Sequence, residues 1–485
     1  MNLIFNPRYI LKNDGKRMLL TNKTSSFFGE DVLVFLHPDH ARFLSFFDGS
    51  KSYEDTINSV ANSFGITVPQ AEHLTRMFMS NAPQIVLKYQ EKYFFLPKEV
   101  LINNKEGIVR NDLRCVDYEC EQPYDFESSR LRVPLRVLFV STMKCYTDCA
   151  YCYADKEHSY NLLPTSRILE VIEECKSFGV RDIDVTGGEF LLHPDWKIIL
   201  SKLYAEGYSP EVSTKIPITD DTISFLRSCG AKKIQFSLDT LSDEIASLTL
   251  KTKNGYVERI RKAIRAADDA GLQIIIKPTL TKLTCTEKNI CEIMDFCDSL
   301  HHMDRLVIGT ANYSRFRGID SFRSLYPEPK VAERCQYYVN NRQEFSKYRI
   351  RANIPVERKE EFCNELAFKT RNRCTGNIDG CALLPDGKVI LCEELYWHPE
   401  FELGDVSNMA FPEVWGSEKA INLWHKQQDR INSDSACSQC PSFTECHANR
   451  GVCYKLILEA YGEKHFQMPD PRCPKAPWPF VDFGV

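Results

Sequence analysis

The sequence lacks the features by which membrane proteins, exported proteins and nucleic-acid-binding proteins are recognised. Its 485 residues contain no run of about 18 uninterrupted apolar residues, which a membrane span requires. Residues 1–7 lack a basic segment followed by an apolar run, so we expect no signal peptide and a cytoplasmic location. The 61 basic residues do not exceed the 66 acidic ones, whereas nucleic-acid binding needs a basic surface. We therefore expect a globular protein with neither a membrane nor a nucleic acid as partner.

Cysteine, in contrast, is abundant, with 20 residues in the chain. In a small secreted protein such a number would indicate a disulfide framework, but this chain is long and shows no export signal. In a reducing compartment, clustered cysteines more often bind metals or carry out redox chemistry. Eight of the 20 fall between Cys374 and Cys473, and three more follow one another closely between Cys145 and Cys152. Both places are therefore candidate metal sites.

The first part of the chain, residues 1–97, has its own pattern. Asn13-Asp14-Gly15 is a favoured turn sequence and predicts a β-hairpin, and three amphipathic helical stretches follow it. A hairpin with three helices predicts a small winged-helix domain. Residues 98–133 are polar and irregular and predict a linker. Its two cysteines, Cys115 and Cys120, have no further ligands nearby and are interpreted as free thiols rather than a metal site.

From Leu135 to Thr310 the pattern changes to six strand–helix units with apolar strands. Alternating strands and helices predict a parallel sheet, here an α/β partial (β/α)6 barrel of the TIM type over residues 134–330. In such a barrel the chemistry lies at the carboxyl ends of the strands. Four cysteines fall on apolar helix faces and are predicted to be buried thiols: Cys175, Cys229, Cys291 and Cys297. The remaining residues, 331–485, form a cysteine-rich C-terminal domain.

Three cysteines, Cys145, Cys149 and Cys152, follow the first barrel strand at spacings that bring their sulfurs together. A structural zinc ion needs four ligands, and His158 is the one nearby candidate for a fourth. A 4Fe–4S cluster held by three thiolates instead leaves one iron open. The motif resembles the signature of the radical S-adenosylmethionine superfamily, Cys-x3-Cys-x-aromatic-Cys, with Tyr151 in the aromatic position. This resemblance implies that electron transfer to S-adenosylmethionine yields a 5′-deoxyadenosyl radical that abstracts hydrogen from a substrate.

The resemblance extends to the residues that end the second, third and fourth strands. Glycines let a backbone approach a ligand closely, and a carboxylate accepts hydrogen bonds from an ammonium group. From the residues alone, Gly187-Gly188-Glu189 after the second strand could be a plain turn, and the residues that end the third and fourth strands could simply face solvent. Ser213-Thr214-Lys215, at the end of the third strand, matches the family's Thr-Asn-Gly only in part. The resemblance implies that Glu189 binds the amino group of S-adenosylmethionine and that Asp239 contacts the ribose. The full set implied to bind this cofactor is Tyr151, Gly187, Gly188, Glu189, Ser213, Thr214, Ser237 and Asp239.

The eight C-terminal cysteines match two four-cysteine iron–sulfur clusters, but their number also fits two zinc ribbons. The spacing Cys-x12-Gly-x4-Cys followed by Cys-x2-Cys-x5-Cys resembles the SPASM extension of radical S-adenosylmethionine enzymes. Six residues separate Cys446 from Cys453, where the family usually has three. The resemblance implies one auxiliary cluster at Cys374, Cys381, Cys392 and Cys453, and a second at Cys437, Cys440, Cys446 and Cys473.

Glu393 directly follows Cys392, and in related sulfatase-maturing enzymes an acidic residue at this position acts as a base. The resemblance makes Glu393 a candidate catalytic residue. A solvated surface carboxylate is the alternative.

The N-terminal residues also resemble a known module. Asn6-Pro7, the hairpin and the segment Pro38–Gly49 are similar to the precursor-peptide recognition element of ribosomal peptide modification systems, a winged helix that binds a leader peptide as an added strand. A DNA-binding winged helix looks alike, but the acidic charge balance favours a peptide. We therefore expect a maturase that installs a thioether or carbon–carbon cross-link in a ribosomally made precursor. It would contain three 4Fe–4S clusters and receive electrons from a donor such as flavodoxin or ferredoxin.

Two alternatives stay open at this point. One is a sulfatase-maturase-like enzyme or small-molecule dehydrogenase with the same catalytic domains, which would not need the N-terminal domain. The other is a zinc-ribbon binding protein without catalytic activity, which iron content and colour would distinguish.

Overall fold

A computed structural model of the chain describes residues 2–24, 32–354, 365–369 and 371–477. The chain divides into two compact units, the first ending at Arg132 and the second beginning at Val133. Within the described residues, no helix combines the length and the apolar character needed to cross a bilayer.

The first unit contains the predicted hairpin and the three predicted helices. Gly15 takes a positive φ of 82° in the hairpin turn. The second helix, Tyr53–Phe64, is capped by Ser52 at its start and by Gly65, whose φ is also positive, at its end. Its elements are β1 (Leu3–Phe5), β2 (Tyr9–Asn13), β3 (Met18–Asn22), β4 (Leu33–Leu36), α1 (Pro38–Ser45), α2 (Tyr53–Phe64), α3 (Val68–Phe78), β5 (Gln84–Tyr89), β6 (Lys92–Pro97) and β7 (Leu101–Asn103).

The strands of this unit pair antiparallel throughout the described residues. Strands β2, β3 and β4 form one sheet with β3 in the middle, β5 and β6 form a hairpin, and β1 pairs with β7. Strand β7 falls within the segment that the sequence predicts as a linker. Leu101, Leu113 and Tyr118 of that segment are buried in the core of this unit. Residues 98–132 therefore contribute to a folded unit. The sequence does not indicate this, because the apolar side chains that reach the core are widely spaced in a polar segment in which others, such as Val109 and Val116, stay exposed.

The second unit begins with alternating strands and helices, as predicted. The sequence predicts the fifth strand over residues 273–280, but the structure has two strands there, because Pro278 has no N–H to donate within a sheet. The helix Asp243–Leu250 was not predicted, although Ser242 caps it. These elements are β8 (Arg136–Val140), α4 (Thr165–Phe178), β9 (Asp182–Thr186), α5 (Trp196–Ala205), β10 (Ser213–Thr214), α6 (Asp220–Ser228), β11 (Lys233–Phe236), α7 (Asp243–Leu250), α8 (Tyr256–Asp269), β12 (Gln273–Ile276), β13 (Thr279–Leu280), α9 (Glu287–Asp298) and β14 (Met303–Thr310).

The rest of the second unit is less regular and carries the cysteine-rich segments. Its elements are α10 (Ile319–Leu325), α11 (Pro329–Gln343), β15 (Arg349–Asn353), α12 (Glu365–Lys369), β16 (Gly380–Leu383), β17 (Lys388–Ile390), β18 (Glu402–Asp405), α13 (Phe411–Trp415), α14 (Glu418–Trp424) and α15 (Tyr454–Tyr461). Strands β16, β17 and β18 form an antiparallel meander, with the Asp386-Gly387 turn between the first two.

Two sheets with parallel strands form the centre of the second unit. In one, β10, β11, β12, β14 and β15 follow one another in parallel, with β13 also paired to β14. In the other, β9 pairs with β8, and the meander joins at β16, which runs parallel to β8 with Cys381 opposite Val137. The cysteine-rich part therefore belongs to the same sheet as β8, the strand that leads into the loop of Cys145, Cys149 and Cys152. No local sequence pattern predicts this pairing.

The four helix cysteines differ in burial. Cys175 and Cys297 are fully buried, as predicted. The prediction is wrong for Cys229 and Cys291, which are half-buried: Cys229 caps the end of α6, and the Cys291 thiol lies 3.5 Å from the Asp295 carboxylate one turn along α9.

Candidate active site

The three predicted cluster ligands lie in the loop after β8. Backbone hydrogen bonds hold this loop to the end of α7, with Asp148 N donating to Leu250 O at 3.0 Å and Ala150 N to Thr249 O at 2.8 Å. Burial, together with the neighbouring thiols of Cys152 and Cys149, raises the pKa of Cys145 to about 11. The structure therefore brings the three sulfurs together. Three converging thiols suit an iron–sulfur cluster, whose binding displaces the thiol protons.

The glycine pair Gly187-Gly188 at the end of β9 lies against the cysteine loop. Gly188 N donates to Thr142 O at 2.6 Å, and a Cβ on Gly188 would lie 2.3 Å from Lys144 O. Gly187 has a positive φ of 132°, and a Cβ there would lie 2.3 Å from Thr142 O. The sequence interpretation gave these glycines a role in approaching a ligand. The structure shows a second role for Gly187 and Gly188: because they lack a Cβ, the end of β9 can pack against the backbone of residues 142–144, which precede Cys145.

A cavity of about 410 Å³ opens at the carboxyl ends of the strands. This volume lies within the range of ~300–1,000 Å³ found for small-molecule sites. Its wall includes the three cysteines and most of the residues that the resemblance assigns to S-adenosylmethionine: Tyr151, Gly187, Gly188, Glu189, Ser213, Thr214 and Ser237. Asp239 is not among the residues that line it.

Glu189 is the buried acidic group of this wall. One carboxylate oxygen, Oε2, accepts a hydrogen bond from Lys215 N at 3.1 Å. The other, Oε1, is buried and has no hydrogen-bond partner among the described residues. Burial raises the pKa of Glu189 to about 7. A buried carboxylate oxygen without a partner suits a ligand that brings its own cationic donor, so Glu189 fits the amino group of S-adenosylmethionine.

Asp239 holds other protein groups instead of facing the cavity. Its Oδ2 lies 2.9 Å from the Lys215 ammonium and accepts a hydrogen bond from the Tyr151 hydroxyl, and its Oδ1 accepts from Thr279 N at 2.8 Å. Both oxygens are thus used within the protein. The structure gives Asp239 the role of positioning Tyr151, which lies between Cys149 and Cys152, and the ribose contact of Asp239 stays a prediction.

Lys215 is a residue whose role the sequence interpretation missed. Its backbone N–H binds Glu189, and its ammonium binds both Asp239 and the carbonyl oxygen of Ser237, at 3.1 Å. Lys215 also lines the cavity. The available signal was the departure from the family's Thr-Asn-Gly at this position.

Four C-terminal cysteines, here named the second cysteine set, lie together as predicted for one auxiliary cluster. Burial, with the neighbouring thiols of Cys446, Cys473 and Cys440, raises the pKa of Cys437 to about 12. Burial, with the neighbouring thiol of Cys440, likewise raises the pKa of Cys473. The members of this set are Cys437, Cys440, Cys446 and Cys473.

Only three of the four cysteines predicted for the other cluster come together. Burial is the main cause of the raised pKa of Cys392 and of Cys453, and the nearby thiol of Cys374 contributes to both shifts. Cys381 instead lies in the core beside Cys175 of α4, whereas its strand neighbour Ala382 faces the opposite side of the sheet, towards Leu391. Because successive strand residues face opposite sides, the register of β16 directs Cys381 away from Cys392. Cys374, Cys392 and Cys453 are named the first cysteine set below.

Glu393 lies beside the first cysteine set. Its Oε2 is 3.4 Å from the Cys392 sulfur, and burial raises the pKa of the Glu393 carboxyl. Glu393 does not line the cavity, but Tyr153 does, and the negative charge of Glu393 adds to burial in raising the pKa of Tyr153. The ring of Tyr396, three residues after Glu393, lies 6.4 Å from that of Tyr153. The carboxyl is therefore close to the cavity wall without forming part of it.

Family models match the regions of the chain that contain the two groups of clustered cysteines. Residues 139–297 match the Radical SAM superfamily, and residues 374–441 match SPASM, an iron–sulfur cluster-binding domain. The chain therefore combines a radical SAM domain with a SPASM domain, as the cysteine motifs predict. These domains imply S-adenosylmethionine, a 4Fe–4S cluster that binds it, and auxiliary clusters as cofactors, which agrees with the converging thiols and with Glu189.

Curated relatives match different lengths of the chain. A biosynthesis protein for the antilisterial bacteriocin subtilosin, AlbA of Bacillus subtilis, is 23% identical over 337 residues, 67% of this chain and 68% of its own length. A probable GTP 3′,8-cyclase of Methanococcus maripaludis is 29% identical over 160 residues, 32% of this chain. The match spans 52% of that cyclase, about half of its length.

Solved structures resemble the chain over nearly its whole length. The crystal structure of Streptococcus suis SuiB bound to S-adenosylmethionine has a TM-score of 0.65 and 15% identity, covering 97% of this chain and 99% of SuiB. SuiB bound to the precursor peptide SuiA gives a TM-score of 0.61 with the same coverage and identity. This likeness confirms the α/β radical SAM fold with a SPASM domain.

Proposed function

We propose that this chain is a radical S-adenosylmethionine maturase that abstracts hydrogen from a ribosomally made precursor peptide and installs a cross-link within it. The observation that carries the proposal is one cavity in which the three loop thiols and the unpartnered Oε1 of Glu189 meet. Support for a peptide substrate comes from AlbA, a bacteriocin biosynthesis protein, and from SuiB, whose structure contains a precursor peptide.

The residues of the cavity have separate roles in this proposal. Cys145, Cys149 and Cys152 would hold a 4Fe–4S cluster, which together with S-adenosylmethionine supplies a radical able to abstract hydrogen. Glu189 binds the amino group of S-adenosylmethionine. The hydroxyl groups of Ser213, Thr214 and Ser237 line the same cavity and offer further hydrogen bonds to the cofactor. Closing a bond after hydrogen abstraction releases one more electron and one proton, and Glu393 is placed to take the proton.

The two cysteine sets would hold the auxiliary clusters. The second set supplies four thiols, and the first supplies Cys374, Cys392 and Cys453. In this proposal the parallel sheets of the second unit form the partial (β/α)6 barrel, followed by the SPASM domain over residues 331–485. The clusters receive the electron that the substrate loses, and a flavodoxin or ferredoxin supplies the electron that starts each cycle.

The first unit would act as a winged helix that binds the leader of the precursor. Strand β4 lies at the edge of its sheet, because among the described strands it pairs with β3 alone. An edge strand presents unpaired N–H and C=O groups to which a peptide can add as a further strand. Such tethering raises the effective concentration of the core peptide at the cavity.

The test compares the full chain with a variant that begins at Val133, after anaerobic reconstitution with iron and sulfide. The substrate is the small peptide encoded next to the gene for this protein. We expect the full chain to modify the peptide, and the shortened chain to cleave S-adenosylmethionine slowly without modifying it, because remote binding energy positions the substrate. The triple variant Cys145→Ala, Cys149→Ala, Cys152→Ala should cleave no cofactor.

Two other results would contradict these assignments. Modification of the peptide at full rate by the shortened chain would remove the recognition role of the first unit and favour a sulfatase-maturase-like enzyme. Formation of 5′-deoxyadenosine by the triple variant would overturn the assignment of the cysteine loop.

A further inference from the structure

The two cysteine sets differ in the charged groups that surround them. Beside the second set, Arg371 Nη2 lies 3.2 Å from the Cys446 sulfur, and the Lys475 ammonium lies 3.6 Å from the Cys440 sulfur. Beside the first set, the charged group in contact with a sulfur is acidic, with Glu393 Oε2 at 3.4 Å from the Cys392 sulfur. The second set is therefore in contact with two cations, and the first with a carboxylate.

Other charged groups near the first set occur as ion pairs. Arg472, which is close to Cys453 and Cys374, donates two hydrogen bonds to Asp470, at 2.9 and 2.7 Å. Lys455 forms an ion pair with Glu394. Because each cation is matched by an adjacent carboxylate, these pairs contribute little net charge. Asp470 is also close enough to Cys446 and Cys473 to affect them, but its charge is already matched by Arg472.

Arg371 is fixed in place by the backbone. It is 9% exposed, and its guanidinium also donates to Phe368 O at 2.8 Å and to Gly451 O at 3.1 Å. No ion pair joins it to a carboxylate within the described part of the chain. A buried, permanently charged guanidinium with its direction set by two carbonyl groups is a preorganised donor to the Cys446 sulfur.

A hydrogen bond to a ligand sulfur changes the reduction potential of an iron–sulfur cluster. Reduction adds one negative charge to a cluster that is already anionic, so a nearby cation and an N–H donor stabilise the reduced form. We propose that Arg371 is a positioning residue that raises the reduction potential of the second-set cluster above that of the first-set cluster. The second-set cluster is then the final acceptor of the electron lost by the substrate. This inference rests on the proposed function.

Bond closure in the substrate releases one electron and one proton beyond the hydrogen atom already abstracted. The electron reduces the second-set cluster, whose charge becomes more negative by one, and the proton passes to a carboxylate such as Glu393 or to water. Release of the electron to an external redox protein then restores the cluster.

The experiment is a potentiometric titration followed by electron paramagnetic resonance, on the full chain reconstituted anaerobically. We compare wild type with Arg371→Gln, Arg371→Lys and Lys475→Gln. The matched control is Arg167→Gln, since Arg167 also donates to two backbone carbonyl groups, at Val406 and Met409, but none of its contacts with the described residues is to a sulfur. A Cys374→Ala, Cys392→Ala variant assigns the signals, because it should remove that of the first-set cluster.

We expect Arg371→Gln to make the midpoint potential of the second-set cluster more negative and to leave the others unchanged. Arg371→Lys, which keeps the charge but loses the forked donor geometry, should give a smaller shift, as should Lys475→Gln. Arg167→Gln should give none. Unchanged potentials in an Arg371→Gln protein with full iron content would overturn the inference. If that variant loses iron, unchanged potentials in both Arg371→Lys and Lys475→Gln would overturn it instead.

A different result would signal failure of the proposed function itself. Wild-type protein that binds iron for fewer than three clusters would show that the cysteine assignment is wrong, before any effect of Arg371 is measured.

Discussion

The Lys215 ammonium lies 2.9 Å from the Asp239 carboxylate, in an ion pair whose side chains are 15% and 0% exposed. The Tyr151 hydroxyl donates to the same carboxylate, so this pair fixes a residue of the cysteine loop. Lys215 in turn fixes Glu189 through its backbone N–H. One buried ion pair therefore connects the loop that would hold the cluster with the carboxylate that would bind S-adenosylmethionine.

The substitution Asp239→Asn should destabilise the second unit, because it leaves the Lys215 charge buried without its partner. Breaking a buried pair on one side costs roughly 3–5 kcal/mol. The double variant Lys215→Met, Asp239→Asn should lose less stability than the sum of the single variants, since it removes both charges. The measurement is the urea midpoint of unfolding. Lys282→Gln is the control, because the exposed Lys282–Glu328 pair at 3.2 Å should be worth about 1 kcal/mol or less. An equally small effect of Asp239→Asn would contradict this prediction.

The substitution Gly188→Ala should displace the cysteine loop. A Cβ at this position meets backbone oxygens of Lys144 and Met143 at 2.3 and 2.6 Å, and backbone atoms cannot turn aside as a flexible side chain can. We expect the variant to lose about four irons per chain, one 4Fe–4S cluster, while the auxiliary clusters remain. Gly309→Ala is the control, since Gly309 also lines the cavity but a Cβ there meets nothing within 4 Å. Full iron content in the Gly188→Ala protein would show that the loop tolerates the contact.

The affinity for S-adenosylmethionine should depend on the ionisation of Glu189. Burial raises the pKa of this carboxyl to about 7, so it is largely protonated at lower pH and a weaker partner for an ammonium group. The α-amino group of the ligand stays charged up to about pH 7.7, so affinity should rise between about pH 6 and pH 7.5. Glu189→Gln should bind more weakly and show no such rise. Equilibrium binding to the reconstituted protein measures this, and a parallel rise in the variant would assign the pH dependence to another group.

Without ligand, the same carboxyl should reduce the stability of the folded chain as the pH rises. A raised pKa means that the folded state holds its proton more tightly than the unfolded state does. The stabilising contribution is present below the unfolded value of 4.5 and is lost as the pH rises to about 7. Urea unfolding of wild type and Glu189→Gln across this interval should show a fall in the wild type that the variant lacks.

Cys381 should be dispensable for cluster binding, in contrast to Cys374. Cys381→Ala removes a thiol from the core next to Cys175, so the protein should keep its iron and lose only the stability that a small core cavity costs. Cys374→Ala should lose iron from the first-set cluster. Iron analysis and Mössbauer spectra compare the two variants. Loss of about four irons from the Cys381→Ala protein would restore the ligand set implied by the sequence.

The strand–helix units and the cysteine loop could be predicted because their signals are local. Glycines end helices, apolar runs mark strands, and the spacing of Cys145, Cys149 and Cys152 is contained within one loop. The short range of these signals also explains why the hairpin around Gly15 was predicted and the strand pairing of Leu101–Asn103 was not. That pairing joins residues about a hundred positions apart, and nothing in the polar segment itself indicates it.

The surroundings of Cys381 and Asp239 could not be predicted from the sequence, for a related reason. The motif gives the spacing of Cys381 but not the face of the sheet on which it lies, which the pairing of β16 with β8 decides. Asp239 follows its strand as the family pattern requires, but the sequence does not reveal that Lys215 and Tyr151 use its carboxylate. Contacts between distant segments, and not propensities, determine both outcomes.

The most direct test of the cross-linking proposal is the mass of the product formed from the precursor peptide, measured together with the yield of 5′-deoxyadenosine. Hydrogen abstraction followed by bond closure predicts a product lighter by two hydrogens, with one 5′-deoxyadenosine per link. Deuterium at the attacked carbon should appear in that 5′-deoxyadenosine. A peptide of unchanged mass with an inverted stereocentre, or one heavier by a methylene group, would contradict cross-linking and indicate an epimerase or a methyltransferase instead.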